Sequence, residues 1–130
     1  MPVFELIQDL PIFPAVSHAR EDGLLAVGGD LSDTRLVEAY RNGIFPWYEE
    51  GQPILWWSPD PRLVLYPENL RVSRSLRKTL RKEIYTSRIN SAFDRVIDAC
   101  AETRLSSGDG TWITEDMKKA YGRLQLKGYA

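Results

Sequence analysis

Flat aromatic rings are concentrated between Tyr40 and Arg62, where 23 residues hold six of the chain's 14 aromatic residues and three of its four tryptophans. Four of the eight prolines also lie here, and proline favours stiff turns over long regular elements. Rings held on stiff turns can form a slot for a flat or apolar ligand. Trp112 precedes a predicted helix on a loop from which its ring can project into a cleft. The candidate rings are Tyr40, Phe45, Trp47, Tyr48, Trp56, Trp57, Trp112 and Tyr121.

A run of cations between residues 71 and 88 is the second candidate. Seven basic residues against Glu83 give this segment a net charge of +6, whereas residues 1–70 carry −7. The run is one-signed, so salt bridges within one helix cannot neutralise it, and an external polyanion such as nucleic acid is expected to do so. A solvated helix face is the alternative. A lipid surface is less favoured, because the apolar seam of Leu76 and Leu80 is too narrow to insert.

The sequence does not contain the residue sets that disulfides, metal sites, nucleophilic catalysis or paired-carboxylate catalysis require. One cysteine and one histidine are too few for a disulfide or a His/Cys metal site, and no nucleophile–base set or pair of carboxylates has a defensible spacing. Cys100 is predicted to lie on the buried face of a helix. Gly28-Gly29 is interpreted as a turn, because Asp30 would repel a phosphate there. No cofactor, metal or membrane segment is expected, and the cytoplasm is the default location.

Capping residues and apolar spacing predict four helices, which begin at Ser32 or Asp33, at Ser73, at Ser91 and at Thr114. The third is predicted to turn Phe93, Val96, Ile97 and Cys100 inward and to be followed by a polar loop over 103–110. Strands are predicted in 3–10 and 63–66, with a possible one in 84–89. In the second half of the chain, so few strands would make a narrow sheet beside three helices, which indicates that the chain is part of a longer protein.

Five motifs follow one another along the chain: GLLAVGGDLS from Gly23, YRNGIFPW from Tyr40, PILWWSPDPR from Pro53, SRSL from Ser73 and GTWIT from Gly110. In this order they closely resemble the bacterial leucyl/phenylalanyl-tRNA–protein transferase family. The similarity runs from about Phe13 to the last residue. Tyr48, where phenylalanine is common, and a longer loop before Gly110 depart from the family pattern.

The resemblance implies an α/β (α+β) fold, with a small N-terminal domain over residues 1–61 and the first half of an acetyltransferase-like (GNAT-type) domain over 62–130. It implies an enzyme that moves leucine or phenylalanine from aminoacyl-tRNA to the N-terminal Arg or Lys of acceptor proteins, in the N-degron pathway. Its catalytic carboxylate and amide groups are expected outside these 130 residues.

The resemblance also implies roles for seven residues of this chain, and two more basic residues are candidates for contacting the tRNA backbone. Trp47, Trp112 and Tyr121, with Tyr40 as a neighbour, match positions that hold the aminoacyl-adenosine end of the tRNA. Arg74, Arg81 and Lys82 match positions that contact the acceptor stem, and Arg77 and Lys78 lie on the same helix. A non-enzymatic tRNA- or RNA-binding module is the alternative function. A CoA-dependent acetyltransferase follows from fold analogy alone and is disfavoured, since a Gly-rich pyrophosphate loop is missing.

Overall fold

The computed structural model describes residues 3–130 and contains a mixed four-stranded sheet. Its strands are β1 (Phe4–Leu6), β2 (Leu24–Gly28), β3 (Phe45–Pro46) and β4 (Leu55–Trp57), in the order β1-β2-β4-β3. β1 runs parallel to β2, and the other two pairings are antiparallel. Leu24 pairs with Trp57 and Ala26 with Trp56, so β2 carries a one-residue irregularity that shifts its register along β4.

The helices are α1 (Asp33–Arg41), α2 (Arg74–Arg81), α3 (Phe93–Ser106) and α4 (Glu115–Leu126). Short 3₁₀ turns occupy Val16–His18 and Pro67–Asn69. The combination of helices with a mixed sheet confirms the predicted α+β class. The small N-terminal domain and the GNAT-type identity of the second domain stay predictions.

Local capping signals account for where three of the helices begin. The hydroxyls of Ser32, Ser73 and Thr114 accept hydrogen bonds from the amide three residues later, which satisfies an otherwise unpaired donor in the first turn. Glycines account for where α1 and α4 end, because Gly43 and Gly128 follow these helices with positive φ. The predicted starts at Ser32, Ser73 and Thr114 are therefore confirmed.

One face of α1 and one face of α4 pack on the sheet around Trp56, which is fully buried. The Trp56 indole NH donates to the carbonyl of Gly28 at 2.9 Å, so the buried ring leaves no polar group unpaired. Asp33 at the start of α1 forms ion pairs with Arg123 and Lys127 of α4. The buried cluster consists of Leu25, Ala26, Leu36, Ala39, Ile44, Trp56, Ala120 and Leu124.

Arg35 of α1 is a buried cation beneath the turn that follows β2. Its Nη2 donates to the carbonyl of Ile7 at 2.6 Å and to Asp30 Oδ2 at 3.2 Å. A Cβ at Gly29 would lie 2.9 Å from Arg35 Cζ, so the Gly-Gly turn leaves room for the guanidinium. Gly28 and Gly29 also both have positive φ, which accords with the interpretation of this pair as a turn.

The described chain divides into two compact units. One comprises the described residues up to Asp60 together with Phe93–Ala130, and it contains the whole sheet. The other is Pro61–Ala92, which contains α2 and is mostly exposed. The first unit thus draws on both sides of residue 61, where the sequence predicts a domain boundary.

Two predicted strands are wrong. Residues 63–66 and 84–89 form no strand, and Leu63 is fully exposed. Their β-branched and aromatic composition favours a strand only where a neighbouring strand supplies hydrogen bonds and a packed face. The apolar seam of α2 is likewise open to solvent, since the side chains of Leu76 and Leu80 are about half exposed.

The third helix exists but differs in detail from the prediction. It begins at Phe93, so Ser91 does not cap it, and it continues through Ser106 into the segment predicted as a loop. Val96 and Cys100 are exposed, whereas Ala101 is buried. The inward face is rotated from the predicted one, because α3 packs against α4 through the side that carries Ala101.

Candidate functional site

Four aromatic side chains from separate segments of the chain form one continuous cluster, here called the ring cluster: Tyr40, Trp47, Trp112 and Tyr121. Trp47 and Trp112 stack with ring centroids 5.4 Å apart and planes inclined by 23°. Tyr121 meets Trp112 edge-on at 6.4 Å, and Tyr40 meets Tyr121 edge-on at 6.3 Å. The structure therefore brings together all four rings that the resemblance assigns to the aminoacyl-adenosine end.

The backbone of Trp47 is held by β4. Its amide donates to the carbonyl of Leu55 at 2.9 Å, and its carbonyl accepts from the indole NH of Trp57 at 2.8 Å. Pro46 precedes it in β3 and restricts the backbone further. Trp47 itself is 46% exposed, so the sheet presents a rigidly mounted ring to solvent.

Trp112 lies on the segment that joins α3 to α4. The amide of Ile113 donates a hydrogen bond to the Thr111 hydroxyl. Gly108 has a φ of +79°, and its amide donates to the carbonyl of Leu105. Thr114, two residues after Trp112, is buried at the N-terminus of α4, and its hydroxyl accepts a hydrogen bond from the Met117 amide at 3.2 Å. The far end of the segment is therefore fixed to the core, while Trp112 is only partly buried.

The two tyrosines of the ring cluster are joined by their hydroxyls, whose oxygens lie 2.5 Å apart. Burial raises the pKa of Tyr121, and the hydrogen bond with Tyr40 raises it further. Tyr121 is therefore a neutral phenol across the physiological range. Tyr40 is half exposed. The pair can offer a ligand one hydroxyl as donor or acceptor, already oriented by its partner.

α2 presents the predicted cationic surface in the second unit. The side chains that line one groove of about 480 Å³ are all basic: Arg74, Arg77, Lys78, Arg81 and Lys82. No residue of this helix is buried, and none of these five forms a salt bridge among the residues that the structure describes. The helix can therefore offer these charges to a polyanion without first breaking an ion pair.

Sequence reasoning did not foresee two neighbours of the ring cluster. Trp57 is one of the candidate rings, yet its indole NH also donates to the carbonyl of Trp47. Glu49 lies beside the Trp112 segment, because a Cβ at Gly110 would be 3.3 Å from Glu49 Oε1. Successive residues of a strand face opposite sides, so the adjacent Trp56 and Trp57 were a usable signal for the first contact. The second contact depends on how distant segments pack, which no local pattern encodes.

Metal and membrane sites are not apparent in the described part of the chain. Residues 3–130 contain no group of three or more His, Cys, Asp or Glu side chains placed to hold a metal ion. Among them, no helix combines the length and apolar character that crossing a bilayer requires.

Exposed aromatic rings and an unneutralised cationic helix are features that recur in proteins that bind nucleic acids. The sequence model of the leucyl/phenylalanyl-tRNA protein transferase matches residues 64–130, and that of the N-terminal domain of this transferase matches residues 29–60. The chain belongs to the leucyl/phenylalanyl-tRNA–protein transferase family.

Curated relatives of that name include a protein of Desulforapulum autotrophicum, 55% identical over all 130 residues, and one of Syntrophobacter fumaroxidans, 58% identical over the same length. A third, from Aromatoleum aromaticum, is 60% identical over 122 residues, or 92% of this chain. The chain spans 56%, 55% and 51% of these three relatives, respectively.

Proposed function

We propose that the ring cluster binds the aminoacyl-adenosine end of a leucyl- or phenylalanyl-tRNA. The observation that carries the proposal is the stack of Trp47 on Trp112, extended by Tyr121 and Tyr40. Each base stacked on an aromatic ring contributes about 1–3 kcal/mol without requiring a particular sequence. A ring cluster of this kind can retain a terminal adenosine while other contacts read the attached amino acid.

The cationic face of α2 is proposed to contact the phosphates of the same tRNA. Its charge is one-signed, which weakens an isolated helix by a few tenths of a kcal/mol per like-charged i,i+4 pair. Binding to phosphates removes this repulsion and releases counterions, so affinity falls steeply as salt rises. The phosphate contacts would supply general affinity, and the ring cluster would supply recognition of the end.

For the whole protein, the proposed reaction is transfer of leucine or phenylalanine to the N-terminal Arg or Lys of an acceptor protein, in the cytoplasmic N-degron pathway. The ester that joins an amino acid to tRNA is already activated, so attack by the free α-amine forms the amide with positioning and modest help in removing a proton. In an apolar slot, the binding free energies of side chains that differ by one methylene differ by only about 1–3 kcal/mol. This weak discrimination accords with acceptance of both leucine and phenylalanine. No catalytic residue is assigned within these 130 residues.

Binding of leucyl-tRNA and of the same tRNA without its amino acid tests the proposal. We expect the chain to bind both and to prefer the charged form. Equal affinity for the two would instead favour the alternative function, a non-enzymatic RNA-binding module, which the cationic face of α2 alone could support. Transfer of labelled leucine to a peptide beginning with Lys, measured on the chain alone, tests the assignment of the catalytic groups, because sustained turnover would contradict it.

Replacing Arg81 and Lys82 together by alanine tests the phosphate contact. We expect weaker tRNA binding at all salt concentrations and a slope of log K against log[salt] that is shallower by about two units, one for each contact. A matched double variant, Arg20→Ala with Arg41→Ala, removes two exposed cations from the other unit and should leave the slope almost unchanged. Equal slopes in the parent chain and both double variants would show that the cations of α2 do not contact phosphates and form a solvated helix face instead.

A further inference from the structure

Lys78 lies near the middle of α2, with Arg74 one turn before it and Arg81 one turn after it. Residues three or four apart on a helix are neighbours, with Cβ atoms about 5–6 Å apart, so an arginine adjoins this lysine on each side. All three side chains are exposed and line the α2 groove, and none of them forms a salt bridge within the described chain. Lys78 is therefore an accessible amine between two unpaired guanidinium groups.

The other four lysines of the chain have different surroundings. Lys118 and Lys127 are held by carboxylates, with N and O atoms 2.9 and 2.7 Å apart. Lys119 is exposed, but two aspartates line the same cavity as it does. Lys82 lines the α2 groove at the C-terminal end of the helix, where the helix dipole repels anions. Of the five lysines, Lys78 alone has an arginine one turn away in both directions.

We propose that Lys78 is a site of covalent acylation by acyl phosphates, whose phosphoryl group is held by Arg74 and Arg81. Guanidinium groups bind phosphate oxygens in a planar fork, and an uncharged lysine amine is a nucleophile. In an acyl phosphate, a single oxygen joins the carbonyl carbon to phosphorus. A phosphoryl group bound by the two arginines therefore brings the acyl carbon within reach of the amine that lies between them.

The reaction needs only the acyl phosphate as co-reactant. The Lys78 ammonium first loses a proton to solvent, and its nitrogen then attacks the carbonyl carbon. A C–N bond forms while the bond from that carbon to the bridging oxygen breaks. The leaving group departs as inorganic phosphate and takes up the second proton that the nitrogen loses. The arginines favour this step because negative charge grows on the phosphate that they contact.

Acylation converts the Lys78 ammonium to a neutral amide and removes one of the five charges of the α2 groove. Its consequence for RNA rests on the proposed function. The modified chain should bind tRNA less tightly, with a slope of log K against log[salt] that is shallower by about one unit. The α2 groove would then couple the hold on tRNA to the supply of acyl phosphate.

Incubation of the chain with acetyl phosphate, followed by mass spectrometry of each lysine, tests the acylation. We expect Lys78 to be acetylated about tenfold faster than Lys119, the advantage that two exposed ion pairs with the phosphoryl group would give. N-acetoxysuccinimide, an uncharged acetyl donor, responds to exposure alone and should modify both lysines at similar rates. Inorganic phosphate should slow the reaction of Lys78 with acetyl phosphate and leave its reaction with the uncharged donor unchanged.

A double variant, Arg74→Gln with Arg81→Gln, should remove the advantage of Lys78 with acetyl phosphate. Its rate with the uncharged donor should stay the same, because glutamine has nearly the helix propensity of arginine. A matched variant, Arg71→Gln with Arg88→Gln, removes two exposed cations of the same unit that do not line the groove. It has the same net charge as the first variant and should retain the advantage.

Equal rates at Lys78 and Lys119 with acetyl phosphate would overturn the proposal. So would an equal preference with the uncharged donor, or an undiminished preference in the Arg74→Gln, Arg81→Gln chain. Binding of leucyl-tRNA to the parent and to a Lys78→Gln chain, which carries a neutral amide, measures the consequence separately. An unchanged salt slope would overturn the link to tRNA, and failure of the parent to bind tRNA would remove the proposed function while the acetylation rates still decide the site.

Discussion

Replacing Asp30 by asparagine should destabilise the fold far more than replacing the larger Arg35 by methionine. Arg35 is fully buried, and its only carboxylate among the described residues is that of Asp30, 3.2 Å away. Its Nε and Nη1 are buried without a hydrogen-bond partner in the described chain. Asparagine keeps an oxygen that can accept from Ser32 but leaves a buried cation uncompensated.

The magnitudes follow from which group is left behind. Removing one partner of a buried ion pair costs about 3–5 kcal/mol, and because Asp30 is 20% exposed we expect the low end, about 3 kcal/mol. Methionine removes the buried charge itself. Asp30 then keeps the amides of Ser32 and Asp9 as donors and retains contact with water, and the Ile7 carbonyl lies on an exposed residue. We expect Arg35→Met to cost about 1 kcal/mol, the net value of one hydrogen bond.

Urea unfolding of the two variants and the parent chain measures both free energies. The reasoning is refuted if Arg35→Met costs as much as Asp30→Asn at neutral pH. Acid provides an internal control. Burial alone would raise the pKa of Asp30, but the hydrogen bonds from Arg35, Ser32 and Asp9 outweigh it and hold that pKa well below its usual value. The charge-dependent stability is thus fully present above about pH 4 and is lost as pH falls through the folded pKa, so the gap between parent and Asp30→Asn should narrow in acid.

Three further predictions concern other parts of the chain. Hydrogen bonds from Lys127 and, to a smaller extent, Arg123 lower the pKa of the Asp33 carboxyl. As pH falls below about 4, an Asp33→Asn chain should therefore lose less stability than the parent chain, as measured by urea unfolding. Equal losses would contradict a role for these ion pairs. Cys100 is exposed and free, so the folded chain should react with a thiol reagent at the rate of an unfolded peptide, whereas slow reaction would restore the core prediction. Amides of Pro61–Ala92 should exchange faster than those of β2 in hydrogen-exchange mass spectrometry, because almost every residue there is exposed, and equal protection would show burial that the structure lacks.

The sequence predicts the helices of this chain better than its strands. α1 and α4 follow from signals within a few residues, since a hydroxyl caps each start and a glycine follows each end. Residues 63–66 carry the composition of a strand, but a strand requires a partner that composition does not supply. Local signals therefore locate elements that satisfy their own hydrogen bonds and fail for those that depend on a distant segment.

The ring cluster shows the same division. Its members were identified from their type and from family resemblance, yet nothing local indicates that Trp47 and Trp112 stack on each other. Their contact depends on α4 packing against α1 and on the cap at Thr114. The prediction that Cys100 is buried was wrong for a related reason. The spacing of apolar residues indicates a helix, but it does not show which side of that helix packs against a neighbour.

The segment Pro61–Ala92 interrupts a unit that resumes at Phe93, and this connectivity bears on how the family could diversify. All five cations of the α2 groove lie inside the interruption, and all four members of the ring cluster lie outside it. Substitutions that strengthen or weaken the hold on a polyanion therefore need not disturb the packing that mounts the rings. Under the proposed function, general attraction to RNA and discrimination of its end would be two traits that substitutions can change separately.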